Sequence, residues 1–267
     1  MNTDNTEVII KVNNFLSNLD RSVWRHIYRG AFANASYDED RKLVTAGTIS
    51  YLFDPCHGNS IISRNRAWLK PEKFKAIYKW YHDANPWADW IIDYFEEYKH
   101  CIDVAHDTFR SNYGVYVYGE NNLTHCFEEL AKNKNSRRAC IVINDRNIAL
   151  NDGEIDKLCT NAVNFFIRGN YLSCVVQMRS SNMVTLFPYD VFMFSVFHIE
   201  LWQMLHTVYD WLKPGAITMQ IADAHITIDD LPHCFNRLNT EDIDLATIAA
   251  EFDKASTNDS YKMNLQL

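Results

Sequence analysis

A cysteine, an arginine–serine pair and an acid follow one another along a short part of the chain. Cys159 lies in Leu158-Cys159-Thr160-Asn161, Arg179 and Ser180 in Met178-Arg179-Ser180-Ser181-Asn182, and Asp190 closes Phe187-Pro188-Tyr189-Asp190. Arginine offers a planar fork of donors that matches phosphate, and a serine hydroxyl adds to it. A carboxyl can read the N3 and amino edge of cytosine, whereas an amide suits the opposite donor pattern of uracil. Together these residues outline a nucleotide site with a thiol beside it. Each also has a plainer reading. A single cysteine is often a packed bystander, and an acid opening a helix is a good cap. Upstream, Ser136-Arg137-Arg138 places two arginines side by side, which repel each other unless an anion compensates. They would equally suit a solvated basic turn after Lys132 and Lys134.

The elements that must carry these residues follow from periodicity. Ile9, Val12, Phe15, Leu16, Leu19 and Val23 predict an amphipathic helix over Thr6–Tyr28, and Leu43–Phe53 is β-branched and aromatic enough for a strand. Pro71 suits the first position of a helix whose one face carries Phe74, Ile77, Tyr78 and Tyr81. Strands are expected over Val115–Tyr118, Ala139–Asn144, Asn161–Ile167 and Leu172–Met178, with Arg168-Gly169-Asn170 as a tight turn between the last two. A helix is expected over Leu123–Ala131. A long buried helix should open at Pro188 and stop at Lys213-Pro214-Gly215, before a strand over Ala216–Ile221. Strands interleaved with helices mean an α/β or α+β fold. No linker divides the 267 residues, so one domain is expected over residues 1–267, ending in a polar, acidic tail from Asn239.

A net charge of −8 argues against a general nucleic-acid surface, because neutralising many phosphates needs a basic face. A mononucleotide needs only a few placed arginines. The seven cysteines (Cys56, Cys101, Cys126, Cys140, Cys159, Cys174, Cys234) are scattered and never spaced C-x-x-C, so neither a disulfide framework nor a zinc site is expected. Met1–Val8 is polar and acidic, unlike a signal peptide. The most apolar stretch, Met183–Leu205, is broken by Pro188, Asp190, His198 and Glu200, unlike a membrane span. A cytoplasmic protein with reduced thiols is expected.

With Asn112-Tyr113-Gly114, Ser136-Arg137-Arg138, Cys159, Arg179-Ser180 and Asp223-Ala224-His225, the stretch from Ser111 to His225 resembles the thymidylate synthase superfamily. Cys159-Thr160-Asn161 and Asp190 look like its bacteriophage deoxycytidylate hydroxymethylase branch. The first hundred residues and the tail match loosely. The resemblance implies a mixed sheet flanked by helices, in a chain that dimerises through the sheet. It implies that Cys159 is the catalytic nucleophile, adding to pyrimidine C6 so that C5 becomes enolate-like.

Substrate binding is likewise assigned by resemblance. Arg179 and Ser180 would hold the 5′-phosphate, and Arg137 and Arg138 would reach into the partner's site across a homodimer interface. Asp190 would select cytosine, His225 would lie near the sugar 3′-hydroxyl, and Tyr113 and Asn161 would also touch substrate. The implied carbon donor is 5,10-methylenetetrahydrofolate, with Asn182 at the cofactor-binding position and no metal. The implied ligand is a pyrimidine mononucleotide, dCMP.

Four positions depart from the family pattern. Ile77 stands where the family keeps a catalytic glutamate, with Glu72 nearby on a different face. Asn182 replaces the aspartate that holds the pterin, Leu186 a glycine beside it, and Thr227 a tyrosine at the sugar. The nucleotide half thus looks kept and the folate half altered. Three readings stay open: a folate-dependent deoxycytidylate 5-hydroxymethyltransferase making a modified phage DNA precursor; a related C5-modifying enzyme with altered base, sugar or donor; and a nucleotide-binding pseudoenzyme.

Overall fold

The computed structural model describes residues 36–38, 41–53, 55, 61–64, 71–101, 108–144, 146–150, 156–183, 185–227 and 242–244. Strands β1 (Ser36–Asp38), β2 (Leu43–Phe53) and β3 (Ile61–Arg64) precede helix α1 (Pro71–His82). Helix α2 (Asn122–Lys132) leads into β4 (Cys140–Val142), β5 (Thr160–Arg168) and β6 (Tyr171–Asn182). Helix α3 (Phe187–His206) then leads to β7 (Lys213–Thr227) and β8 (Asp242–Asp244). Six strands form one mixed sheet in the order β1-β2-β7-β6-β5-β4, while β3 pairs with β8.

β6 and β7 run parallel, and the other pairs are antiparallel. A parallel pair needs a crossover, which α3 supplies while packing on both strands and on α1 and α2. Such a helix is enclosed on most sides, which explains its apolar run. Phe187, Phe192, Phe194 and Phe197 are each 1% exposed or less. Burying each contributes about 1.5–3 kcal/mol. The sheet face beneath it alternates as a pleat requires, with Leu172, Cys174, Val176 and Met178 buried on β6 and Ile217, Met219 and Ile221 on β7. Between them, Ser173, Val175, Gln177, Thr218 and Gln220 are half-buried or exposed. Gly169 turns β5 into β6 at φ 58°, a left-handed value that favours glycine.

Two expectations need correction. Val115–Tyr118 is not a strand: Val115–Gly119 forms a π-helical turn, in which Glu120 N–H bonds to Val115 O at 3.1 Å. Local β-propensity loses here to packing against α1. At Gly114 a Cβ would come within 1.7 Å of Tyr81 O, so the two backbones touch. The long helix also does not run to Lys213-Pro214-Gly215. It ends at His206, where Thr207 Oγ1 donates to Met204 O at 2.7 Å. Lys213-Pro214-Gly215 instead opens β7. Proline is tolerated there because β2 pairs only from Ile217 onward, so no ladder bond on that side is lost. The helix expected over Thr6–Tyr28 lies outside the described residues, as do residues 239–267 apart from β8. No helix among the described residues is long and apolar enough to cross a membrane.

Candidate active site

Residues four apart share a helix face, so α1 turns Ile77 and Tyr81 to the same side, at 2% and 4% exposure. Both line a cleft of about 220 Å³. The 3-10 turn Glu96–His100 adds Tyr98, with Phe95 just before it. Cys159 enters from the residue preceding β5, Arg179 and Ser181 from β6, and Leu186, Tyr189 and Asp190 from the start of α3.

The frame is aromatic where it must be rigid. Tyr189 sits 4.7 Å from Phe74 and 4.8 Å edge-on to Phe95, and Tyr81 lies 5.5 Å from Tyr113. Asn112 fixes Tyr113: its Nδ2 donates to Trp80 O (2.9 Å) and Asn85 O (3.1 Å), and its Oδ1 accepts from Gly114 N (3.0 Å). Replacing Asn112 with an apolar residue would leave those backbone groups short of partners, at about 1–3 kcal/mol each.

Arg179 is tied to the nucleophile's own loop. Its Nε donates to Leu158 O at 2.8 Å and its Nη2 to Lys157 O at 2.7 Å, while its backbone N–H bonds to Cys159 O at 2.8 Å. Guanidinium carries five N–H donors, so the fork still has donors for an anion. Burial pushes the Cys159 thiol up to about 11; the Arg179 charge pulls it down, and Asp190 and Asp156 push it further up. Burial also lifts the Asp190 carboxyl to about 7, against the opposing effect of a 3.2 Å bond from Ser181 Oγ. Near neutrality Asp190 therefore exists in both protonation states, and the protonated form can donate to cytosine N3 while accepting from its amino group.

The cleft brings together Cys159, Arg179, Asp190 and Tyr113 of the residues expected from sequence. Others lie outside its lining. Ser180 Oγ shares a 3.1 Å bond with His225 Nδ1, and Asn161 Oδ1 accepts from Asn144 Nδ2 at 3.1 Å. Arg137 and Arg138 are exposed and line a second concavity of about 640 Å³ with Glu129, Lys132 and Ser136. Asn182 is committed locally: its Nδ2 donates to Thr227 Oγ1 (2.9 Å) and its Oδ1 accepts from Thr185 N (3.1 Å). Glu72 is exposed and outside the cleft.

Sequence reasoning missed Tyr98, Tyr81's place in the cleft, and Asp156. Tyr81 was findable, one turn beyond Ile77. Asp156 had no signal beyond preceding the cysteine by one short loop. Among the described residues, no group of three or more His, Cys, Asp or Glu side chains is gathered around a metal position.

A thiol, a guanidinium and a carboxyl thus share one cleft on a mixed sheet. Residues 67–266 match the thymidylate synthase family model, and the chain belongs to that family. Its enzymes are one-carbon transferases that bind a pyrimidine nucleotide and use methylenetetrahydrofolate. More particularly, the chain is similar, at 35% identity over 86 residues, to the deoxycytidylate 5-hydroxymethyltransferases of Enterobacteria phages T4, T2 and T6. That stretch covers 30% of this chain and 35% of each relative, about a third of the length of these curated proteins.

At the positions that the resemblance gives to the pterin, the described residues are apolar or already bonded. Ile77 and Leu186 close that side with apolar groups, and the Asn182 amide is spent on Thr227 and Thr185.

Proposed function

We propose that the chain modifies C5 of a cytosine deoxynucleotide, dCMP, as a 5-hydroxymethyltransferase. The observation that carries this reading is that Cys159 and Asp190 line one cleft with Arg179 beside the thiol. Cys159 as thiolate adds to C6, and Asp190 holds the N3 and amino edge. The electron pair released to C5 makes it nucleophilic toward a one-carbon unit. Arg179 offers its remaining donors to the phosphate and favours the thiolate by charge. The family's donor would supply the carbon at the methylene level, and water the hydroxyl. Tyr113 and Asn161 hold the substrate, with Ser180 and His225 as a bonded pair at the sugar and phosphate side.

The same reading makes the working unit a homodimer in which Arg137 and Arg138 complete the partner's phosphate site. The second face of the sheet supports it, since Leu52 (66%) and Val142 (54%) are exposed there in the single chain. Mixing inactive Cys159→Ser subunits with inactive Arg138→Ala subunits should restore part of the activity, because one complete site is rebuilt. A monomer by light scattering would end the shared-site idea.

Ile77 favours a second reading, a protein that binds nucleotide without turnover. Tritium release from C5-labelled dCMP, CMP and dUMP, each with and without methylenetetrahydrofolate, separates the two. Release from dCMP alone among the three supports the enzyme; binding without release from any of them supports the second reading.

A further inference from the structure

Position 77 has lost its carboxylate, yet the cleft has not lost acidity. Among the described lining residues two are carboxylates, Asp190 and Asp156. Asp190 is engaged by the base in the reading above. Asp156 precedes Cys159 by three residues, is 2% exposed, and has no assigned role. Its Oδ2 accepts from Ser111 N at 2.6 Å and its Oδ1 accepts from Ser111 Oγ. These two bonds hold the carboxylate against Ser111 on the cleft wall. A negative charge at Asp156 would oppose formation of the Cys159 thiolate, so the two groups lie within electrostatic reach of each other. Ser111 lines the same cleft, so the bonded pair forms part of its wall beside the nucleophile.

We propose that Asp156 is the group that moves protons at C5 of the bound base, doing from the nucleophile's loop what position 77 no longer can. The proposal rests on the C5 reading and concerns a step that needs only nucleotide and water. The thiolate of Cys159 forms a bond to C6, and C5 takes a proton from solvent. Asp156 then accepts the hydrogen originally on C5 as a proton. The C5–H electron pair re-forms the ring double bond, and the S–C6 bond breaks to return the thiolate. The net result is hydrogen exchange at C5.

The test uses the full chain and C5-tritiated dCMP without any carbon donor. Asp156→Asn should slow tritium release about a hundredfold or more, with the calorimetric affinity for dCMP changed less than threefold. Asp156→Glu should keep part of the rate. Ser111→Ala should stay close to wild type, because the Ser111 backbone N–H still holds the carboxylate. Ile77→Glu added to Asp156→Asn should recover release by returning a carboxylate to the opposite wall.

Undiminished release in Asp156→Asn would overturn the proposal. So would loss of dCMP binding in step with release, or an equal loss in Ser111→Ala, either of which makes Asp156 an anchor. Wild-type protein that releases no tritium from dCMP would overturn the C5 reading itself and this proposal with it.

Discussion

On one wall of the cleft, Cys159, Arg179, Ser181 and Asp190 present a thiol, donors and a carboxyl whose positions are fixed by β5, β6 and the first turn of α3. On the other, Ile77 and Phe95 present hydrocarbon held by α1 and the turns after it, and Leu186 adds to it from the start of α3. The polar wall is expensive to build, since each buried polar group needs a partner. Arg179 meets that need with the loop's own carbonyls, and Asp190 with Ser181. The apolar wall needs no such partners and can change residue by residue. Within one site, the polar wall is thus bound into a hydrogen-bonded network, while the apolar wall is free to change.

The sharpest way to break this contrast is at the nucleophile. Cys159→Ser should lower C5 tritium release by more than about a thousandfold, and 5-fluoro-dCMP should label the wild type at Cys159 alone by mass spectrometry. Labelling at another cysteine would move the chemistry elsewhere. Next comes base choice: Asp190→Asn should shift the kcat/KM ratio from dCMP toward dUMP by about a hundredfold or more, because the donor pattern is reversed. Equal loss of both substrates would leave Asp190 as a structural acid.

The apolar wall should respond in the opposite sense. Ile77→Glu, alone or with Asn182→Asp, should raise turnover, on the order of tenfold where proton transfer limits the rate. Calorimetry with dCMP present should show weak folate binding by the wild type. Tight binding would mean that residues outside the described ones rebuild the pterin site.

The smallest effect lies away from the cleft, at Glu200. Its carboxyl is lifted to about 7 by burial, against the lowering effect of the bond it accepts from Tyr118 OH at 2.5 Å. Its folded pKa therefore exceeds its unfolded value of about 4.3. The folded state binds this proton more tightly, so the group's contribution to stability is full below about 4.3 and is lost as pH rises through about 7. Glu200→Gln should flatten the fall in melting temperature between pH 5 and 8. An unchanged slope would remove Glu200 as its source.

What could be read from the sequence was whatever local pattern controls. β2 coincides with Leu43–Phe53, α1 begins at Pro71, and Gly169 makes the β5–β6 turn. Motif spacing placed Cys159, Arg179 and Asp190 in one cleft because two of them open or lie on elements that the pattern defines. The π-helical turn at Val115–Gly119 was hidden because alternation of valine and tyrosine looks like a strand until α1 packs against it. Asp156 and Tyr98 were hidden for a related reason. They reach the cleft through contacts between segments distant in sequence, as Asp156 does with Ser111, 45 residues away.

At Gly114 the approach of the segment carrying Tyr113 to α1 is set by main chain on main chain, with no side chain between Gly114 and Tyr81. Spacing fixed in this way works like a machined gap. Residues facing into it can be exchanged for others of different chemistry without resetting its width, whereas any side chain at 114 would wedge it open. Such a gauge keeps the Tyr113 and Tyr81 rings at their 5.5 Å separation whichever residue stands at position 77. The frame is then a platform on which the apolar residues of the cleft can be varied while the polar wall stays in register.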